Sequence, residues 1–196
     1  MFQLLLDSSN AYLAVGLSKD GKVVDSTFYN AWQRQSEVMV TEIDNILKRN
    51  KISKSDLDAV VVGIGPGSYT GVRIGVTIAK TIAYVLKIKI YAKSSLSLYV
   101  NENNPTICLF NARSGRSYFA VYKGHEIIEK DTVIPNEEVL DYIAKHPDYK
   151  VCGDTAQIGK ESDKFDVVEA LSKFSNEELV KDVFSLNPIY LKDLLK

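Results

Sequence analysis

The spacing of apolar residues in the first part of the chain predicts a small sheet followed by a helix. Short apolar runs, two of which alternate with polar positions around a turn at Asp20-Gly21, predict three antiparallel strands at residues 2–6, 12–17 and 23–29. From residue 34 to residue 50 the apolar positions recur at helical spacing instead. This pattern predicts a helix that either begins at Ala31 or has Ser36 as its N-cap. Its apolar face consists of Met39, Ile43, Ile46 and Leu47.

A buried strand, a glycine-rich turn and a longer helix follow in the segment 58–86. Its first residues are a β-branched apolar run, which is typical of a central strand covered on both faces. Pro66 cannot donate to a strand ladder and Gly67 permits positive φ, so the strand ends in a sharp turn. Ser68 or Thr70 is the predicted N-cap of the helix. Such a turn directs backbone N–H groups above the strand end, where phosphates are often bound. A plain strand-to-helix turn is the alternative.

The helix of this segment carries more apolar surface than one sheet can cover. Its apolar arc is roughly 200° wide, whereas a helix packed on a single core needs about 100°. Small residues that let another helix approach closely recur at every fourth position, at Gly71, Gly75, Ala79 and Ala83. We expect this small ridge to contact another chain and the branched side to lie on the sheet. The branched side consists of Ile74, Ile78, Ile82 and Val85. Burial of both sides within one domain is the alternative. The predicted partner interface comprises Met39, Ile43, Tyr69, Gly71, Val72, Gly75, Val76, Ala79 and Ala83.

Asp7 closes the first predicted strand and is followed by Ser8-Ser9-Asn10. In several nucleotide-handling folds a carboxylate at this place holds a metal–phosphate group. The alternative is an aspartate that accepts hydrogen bonds within its own turn. A second glycine turn, at Gly153-Asp154, follows the last predicted strand in the same way. The predicted phosphate-binding set is therefore Asp7, Gly65, Gly67, Ser68, Gly153 and Asp154.

The second half of the chain restarts the pattern of the first after Asn103-Asn104-Pro105. The elements predicted there are strands at 106–110, 117–122 and 127–133, a helix over 135–144 and a strand at 149–152. The repetition predicts an α/β fold of two related halves with a cleft between them, and domains at residues 1–103 and 104–196. The remaining predicted elements are a strand at 88–91 and helices at 94–101 and 176–184.

The composition is that of an ordinary globular chain. Of 196 residues, 45% are hydrophobic and 25% charged, which suffices for one large domain or two small ones. The formal net charge of −1 gives no broad electrostatic footprint for nucleic acid, so any RNA contact must be local or supplied by a partner. The apolar start of the chain ends at Asp7, and no apolar run is long enough to cross a bilayer. We therefore expect a cytoplasmic protein without a signal peptide and without membrane contact.

Motifs for several catalytic classes are missing from the sequence. The two histidines, His125 and His146, form no paired metal motif, so we expect no metal site. There is no Gly-x-Ser-x-Gly elbow, and the two cysteines lie in apolar stretches where free buried thiols are expected. Arg113 and Arg116 flank a predicted hairpin turn, where either guanidinium could meet a phosphate or remain in solvent.

The glycine segment GIGPGSYTGVRIG, at residues 63–75, closely resembles the signature of the bacterial TsaB (YeaZ) family. Supporting matches to the same family run in order along nearly the whole chain, at LLLDSS, RQSEVMVTEIDNIL, SSLSL, NARSGRSYFAVY, GDTA and NPIYL. The resemblance implies a two-lobed, actin-like or RNase H-like fold of the ASKHA superfamily. Each lobe of that fold is a mixed sheet flanked by helices.

The resemblance further implies a role in making N6-threonylcarbamoyladenosine next to the anticodon of tRNAs that read codons starting with A. Members of the family form dimers and pair through N-terminal-lobe helices with the related subunit TsaD. TsaD holds the metal and transfers the threonylcarbamoyl group from threonylcarbamoyl-AMP, and the ATPase TsaE joins the two. On this basis we expect a non-catalytic subunit that has no catalytic residues, requires no cofactor, is a homodimer when alone and reaches tRNA only through the complex. A site for ATP or ADP at the subunit junction is left open.

Three features depart from the family pattern. Gln35 stands where a histidine usually precedes Ser-Glu, Asn111 replaces the aspartate of an Asp-Ala-Arg segment, and the second lobe is short, which suggests a smaller surface for further partners. An enzyme is the alternative to the partner subunit. It would be a small phosphotransferase or ATPase that holds a nucleotide between the lobes with Asp7, the glycine turn and Asp154. A glycoprotease-like metallopeptidase is set aside because its metal ligands are missing.

Overall fold

The computed structural model describes residues 1–101 and 103–191 as two β-sheets flanked by helices. The strands are β1 (Phe2–Asp7), β2 (Tyr12–Lys19), β3 (Lys22–Asn30), β4 (Leu57–Gly63), β5 (Lys89–Lys93), β6 (Thr106–Arg113), β7 (Arg116–Lys123), β8 (Glu126–Pro135) and β9 (Lys150–Gly153). The α-helices are α1 (Gln35–Arg49), α2 (Tyr69–Leu86), α3 (Asn136–Lys145) and α4 (Val167–Ser172). Short 3-10 turns occupy Lys54–Asp56, Leu96–Tyr99, Ala156–Ile158 and Asn176–Glu178.

Both sheets consist of an antiparallel meander to which parallel strands are added. The first sheet has the order β3-β2-β1-β4-β5, and the second has the order β8-β7-β6-β9. In the parallel pairs Leu5 of β1 lies beside Val61 of β4, and Cys108 of β6 lies beside Cys152 of β9. The predicted repetition of meander, helix and strand is therefore confirmed, and with it the α/β fold of two related halves.

Three buried clusters hold these layers together. Helices α1 and α2 cover one face of the first sheet through a cluster that includes Met39 and Val60. Between the two sheets lies a second cluster, which contains Phe110, α4 and the turn at Leu96–Tyr99. The helix α3 covers the outer face of the second sheet, where Val139 is fully buried. The order of the layers leaves the surface of α1 and α2 facing away from the second sheet.

Residues 176–191 form a strap that returns over the first sheet. Leu179 makes an antiparallel bridge with Tyr91 of the edge strand β5, and the N–H of Ile189 donates to the carbonyl oxygen of Ile64 at 2.7 Å. The predicted helix at 176–184 is wrong, because pairing with the sheet edge replaces helical packing beyond the first three residues. The predicted division at residue 103 separates the two sheets, yet α4 and the strap pack on the first sheet.

The helix termini resolve several of the sequence alternatives. Ser68 is the N-cap of α2, because its Oγ accepts the N–H of Gly71 at 3.3 Å. Arg34 precedes α1 without a side-chain cap, so the helix neither begins at Ala31 nor has Ser36 as its cap. The helix predicted over residues 94–101 is only a 3-10 turn. Within residues 1–101 and 103–191, no helix combines the length and the apolar character that crossing a membrane requires.

Candidate functional site

The turn between β4 and α2 is packed tightly against the loop that follows β1. Gly65 has φ +97°, and its N–H donates to Oγ of Ser95 at 2.9 Å. The N–H of Ser68 donates to the carbonyl oxygen of Ser9 at 2.6 Å. A Cβ on Gly67 would lie 2.2 Å from that same oxygen, so only glycine lets the loop approach so closely. The N–H groups of Gly65 and Ser68 are thus used inside the chain and are not presented to a phosphate.

Asp7 lies beneath this turn and is only 1% exposed. Its carboxylate accepts hydrogen bonds from the N–H and Oγ of Ser9 and from Oγ of Ser95. Burial raises the pKa of Asp7 to about 6. A Cβ on Gly63 would lie 2.1 Å from Oδ1 of Asp7, so β4 also packs directly against the carboxylate. The structure therefore favours an aspartate that fixes its own turn over the predicted metal–phosphate role.

A cleft of about 720 Å³ lies between the two sheets, beside the N-terminus of α2. Its aromatic lining consists of Trp32, Tyr69, Phe110 and Tyr118. Its polar lining side chains are Ser9, Asn10, Ser68, Thr70, Asn111, Arg113 and Asp154. Of the predicted phosphate-binding set, the structure brings Gly67, Ser68 and Asp154 to this cleft, while Asp7 and Gly65 are buried behind it.

The second glycine turn repeats the close packing of the first. Gly153 has φ +104°, and a Cβ there would lie 2.1 Å from the carbonyl oxygen of Leu109, which allows β9 to approach β6. Asp154 accepts the N–H of Asn111 at 3.2 Å, and burial raises the pKa of the Asp154 carboxyl. Gly153 is therefore a packing residue, whereas the Asp154 side chain faces the cleft.

The helix α2 packs on the first sheet with the side opposite to the predicted one. A Cβ on Gly71 would lie 2.1 Å from the carbonyl oxygen of Ser8. A Cβ on Gly75 would lie 3.0 Å from Oγ of Ser8. Small residues are needed on this side because the helix approaches the loop after β1 so closely. The predicted orientation is therefore wrong. The proposed interface residues that are buried within the chain itself are Met39, Ile43, Gly71, Val72, Gly75, Val76, Ala79 and Ala83, whereas Tyr69 is exposed.

The branched side of α2 faces outward and forms a groove with α1. This groove encloses about 400 Å³, and its lining residues are Val40, Ile43, Asp44, Leu47, Lys54, Leu57, Thr77, Ile78, Thr81, Ile82, Val85 and Leu86. Val40 is 58% exposed and Val85 is 66% exposed, while Ile78 and Ile82 are half-buried. A continuous apolar groove at the surface marks a surface suited to a protein partner. The excess apolar surface of α2 is thus present, on the side that was predicted to be covered.

Val40 of the groove and Trp32 of the cleft are among the lining residues that the predicted sets do not include. Val40 lies three residues before Ile43 and seven before Leu47, so it extends the apolar stripe of α1 toward the surface. Trp32 is the only tryptophan and stands in a polar connection where nothing in the pattern predicts burial. The stripe on α1 therefore indicates Val40, whereas no local pattern indicates Trp32.

Thiol and metal chemistry is not visible in the described part of the chain. Cys108 and Cys152 are buried and free, as expected from the sequence. Among residues 1–101 and 103–191, no three histidine, cysteine, aspartate or glutamate side chains are grouped so that they could hold a metal ion.

Sequence comparison finds relatives along most of the chain. The family described as "TsaD: tRNA N6-adenosine threonylcarbamoyltransferase" matches residues 30–184. The tRNA threonylcarbamoyladenosine biosynthesis protein TsaB of Bacillus subtilis is 34% identical over 142 residues, which are 70% of this chain and 61% of that protein. The protein of the same name from Escherichia coli is 30% identical over 63% of this chain and 55% of its own length. The chain therefore spans little more than half the length of these relatives. The Mycoplasma genitalium protein MG208 is 26% identical over 98% of this chain and 95% of its own length.

Structural comparison agrees on the fold. The structure of YeaZ from Pseudomonas aeruginosa superposes with a TM-score of 0.82 and 21% sequence identity, and the match covers 97% of this chain and 99% of that one. The match supports the predicted two-lobed α/β fold. Together with the family match over residues 30–184 and the TsaB relatives, it shows that the chain belongs to the TsaD family, in its TsaB (YeaZ) branch.

Proposed function

We propose that this chain is a non-catalytic subunit of a complex that makes N6-threonylcarbamoyladenosine in tRNA. In this complex a TsaD-like subunit transfers the threonylcarbamoyl group from threonylcarbamoyl-AMP to N6 of the adenosine 3′ of the anticodon, and a TsaE-like ATPase assists. Support comes from the membership of the chain in the TsaD family and from the names of its TsaB relatives. The tRNAs concerned read codons that start with A.

The observation that carries this proposal is the apolar groove between α1 and α2. Val40 from α1 and Val85 from α2 expose more than half of their surface on its two sides. Complete burial of a fully exposed branched side chain gains roughly 1.5–3 kcal/mol, and these two valines are partly covered already, so a partner helix seated in the groove would be stabilised by several side chains together. We infer that the partner is the related TsaD-like subunit. A second copy of this chain would occupy the groove when that subunit is missing.

The burial of Asp7 supports a partner role over the phosphotransferase or ATPase alternative. That alternative needs the carboxylate in the cleft, where it would hold a metal–phosphate group. In the structure all three hydrogen-bond donors to Asp7 come from Ser9 and Ser95, and the side chain is sealed beneath the glycine turn.

Reconstitution of the reaction tests the proposed function. Threonylcarbamoyl-AMP and unmodified tRNA are incubated with the TsaD-like and TsaE-like proteins of the same organism, with or without this chain, and the modified nucleoside is quantified by mass spectrometry. We expect product only when the chain and the TsaD-like subunit are both present. Full product without the chain, or transfer by the chain alone, would contradict the proposal. ATP hydrolysis by the chain that is abolished in Asp7→Ala would favour the enzyme alternative.

A further inference from the structure

The cleft between the sheets has aromatic faces and free polar groups for which the proposed partner role has no use. Trp32 is 48% exposed and Tyr69 is 44% exposed, and both line the same cavity of about 720 Å³ with Tyr118. Within the described chain, the indole N–H of Trp32, the hydroxyl of Tyr118 and the guanidinium of Arg113 make no hydrogen bond or ion pair. The ring of Tyr69 already contacts Tyr190 and Arg73, so the flat surface that the cleft offers beside these hydrogen-bond donors is that of Trp32.

These groups match the chemistry of a nucleobase. Base rings stack on tryptophan and tyrosine regardless of sequence, and donors such as an indole N–H or a guanidinium meet acceptors on the base edge. The carboxylate of Asp154, which accepts one hydrogen bond from the N–H of Asn111, can accept another from an exocyclic amine. A cavity of this size is within the range that holds small ligands. An unstacked base with its ribose thus fits both the volume and the donor pattern.

The charges of the cleft favour a base that belongs to an RNA strand over a free nucleotide. Arg113 and Asp154 are the only ionisable lining groups of Arg, Lys, Asp or Glu type in the described residues, and their charges cancel. The N–H groups of Gly65 and Ser68 are already engaged, so a di- or triphosphate finds no cradle there. Three exposed arginines are neighbours of lining residues of the cleft, where they suit the phosphates of a strand. Arg34 lies two residues after Trp32 and pairs with Glu37, Arg73 lies over the Tyr69 ring and donates to its hydroxyl, and Arg116 is paired with Arg113 across the hairpin.

We propose that this cleft holds one unstacked nucleobase of the tRNA substrate while the partner subunit modifies another nucleotide. The inference rests on the proposed function for the identity of the RNA. It gives this chain a direct contact with tRNA, beyond the contact that the complex as a whole provides.

Trp32 is the only tryptophan of the chain, so its fluorescence reports on this cleft alone. The purified chain is titrated with an anticodon stem-loop RNA, with a fully paired duplex of similar length, and with ATP. We expect saturable quenching by the stem-loop, whose loop bases are unstacked. We expect little quenching by the duplex, whose bases are already stacked, or by ATP.

Variants assign the binding to individual side chains through the fluorescence anisotropy of a labelled stem-loop. Trp32→Ala and Arg113→Ala should each weaken binding, the first by about tenfold or more because a stacking partner is lost. Trp32→Phe keeps a flat ring and should bind nearly as tightly as the native chain. The control is Tyr84→Ala, which removes a ring that is 60% exposed on the last turn of α2, far from the cleft, and should leave binding unchanged.

Three results would overturn the inference. The first is saturable quenching by ATP without quenching by the stem-loop, and the second is the absence of quenching by any RNA. The third is an equal loss of stem-loop affinity in Trp32→Ala and Tyr84→Ala. The proposed function can be judged separately in the reconstituted complex. If Trp32→Ala supports product formation there with an unchanged KM for tRNA, the cleft inference fails and the proposed function stands. If omission of the chain leaves product formation intact while the stem-loop still quenches Trp32, the proposed function fails instead.

Discussion

Gly71 and Ser8 are in such close contact that a Cβ on Gly71 would lie 2.1 Å from the carbonyl oxygen of Ser8. The Oγ of Ser8 also donates to the carbonyl oxygen of Gly71 at 2.9 Å. The N-terminal part of α2 is thereby fixed to the loop after β1. Because the obstructing atom belongs to the backbone, it cannot rotate away from a larger side chain. This contact determines which side of α2 faces the sheet and which side remains for a partner.

Gly71→Ala should therefore destabilise the chain. We expect a net loss of about 1–2 kcal/mol in the free energy of unfolding, since overpacking costs about 1–3 kcal/mol and the better helix propensity of alanine returns up to about 1. Urea denaturation measures the loss, with Thr77→Ala on the exposed side of the same helix as the control. Equal stability of the two variants would show that the close approach of α2 to this loop is not needed.

The buried carboxyl group of Asp7 should make stability depend on pH. Its pKa is raised from 3.8 to about 6 by burial, so between these values the folded chain binds more protons than the unfolded chain. Stability relative to Asp7→Asn should thus fall as pH rises through this window, by on the order of 2–3 kcal/mol in total. Urea denaturation of both proteins between about pH 4 and pH 7 measures the difference.

Asp44→Asn, on the exposed surface of α1, is the matched control for this pH series. Like Asp7→Asn, it replaces an aspartate by an asparagine, but outside the core. Both variants keep all the other titrating groups of the native chain. A stability difference between the native chain and Asp7→Asn that stays constant across the series would contradict the expected coupling.

The strap at residues 176–191 should open locally when its anchor is removed. Nζ of Lys80 donates to the carbonyl oxygens of Phe184 and Leu186, at 3.1 and 2.8 Å. Lys80→Met keeps the apolar stem and removes these hydrogen bonds, which should cost about 1–2 kcal/mol. Amide exchange of Val180 and Ile189 should then accelerate about 5–30-fold, while amides of α1 keep their rates. A uniform acceleration along the chain would mean that Lys80 stabilises the whole fold and not the strap.

The two thiols should be unreactive in the folded chain. Burial raises the pKa of Cys108 well above its usual value and that of Cys152 to about 12, so little thiolate is present and neither sulfur is accessible. A colorimetric thiol reagent should titrate neither cysteine under native conditions and both after denaturation. Rapid reaction of one cysteine without denaturant would show that the region between β6 and β9 opens in the native state.

Most elements of the fold follow from local signals in the sequence. The alternating runs around Asp20-Gly21 and the β-branched run before Pro66 indicate the strands directly, because side chains point to alternate faces or are buried on both. The structure of the strap does not follow from local signals, because it depends on a bridge between Leu179 and Tyr91, which are distant in sequence. The helix α4 was missed because six residues are too few for a clear helical period.

The site could be predicted only in part, for a similar reason. The pattern of α2 shows how wide its apolar arc is, but not which side the sheet covers. That choice depends on the approach of Gly71 to Ser8. The lining of the cleft likewise combines Trp32, Tyr118 and Asp154, which the sequence separates widely and only the packing of the two sheets brings together.

The most direct test of the account is the affinity of this chain for the TsaD-like subunit, measured by isothermal titration calorimetry for the native chain and two neighbouring substitutions. Val85 lies in the groove and is 66% exposed, whereas Tyr84 is 60% exposed and packs against Phe184 of the strap. Both variants place a glutamate at the same end of α2, so their effects on the helix should be alike. We predict that Val85→Glu raises the Kd by about tenfold or more, because the charge would be buried against the partner. Tyr84→Glu should change the Kd by less than about twofold. Equal affinities for the native chain and Val85→Glu would contradict the assignment of the groove as the partner-binding site.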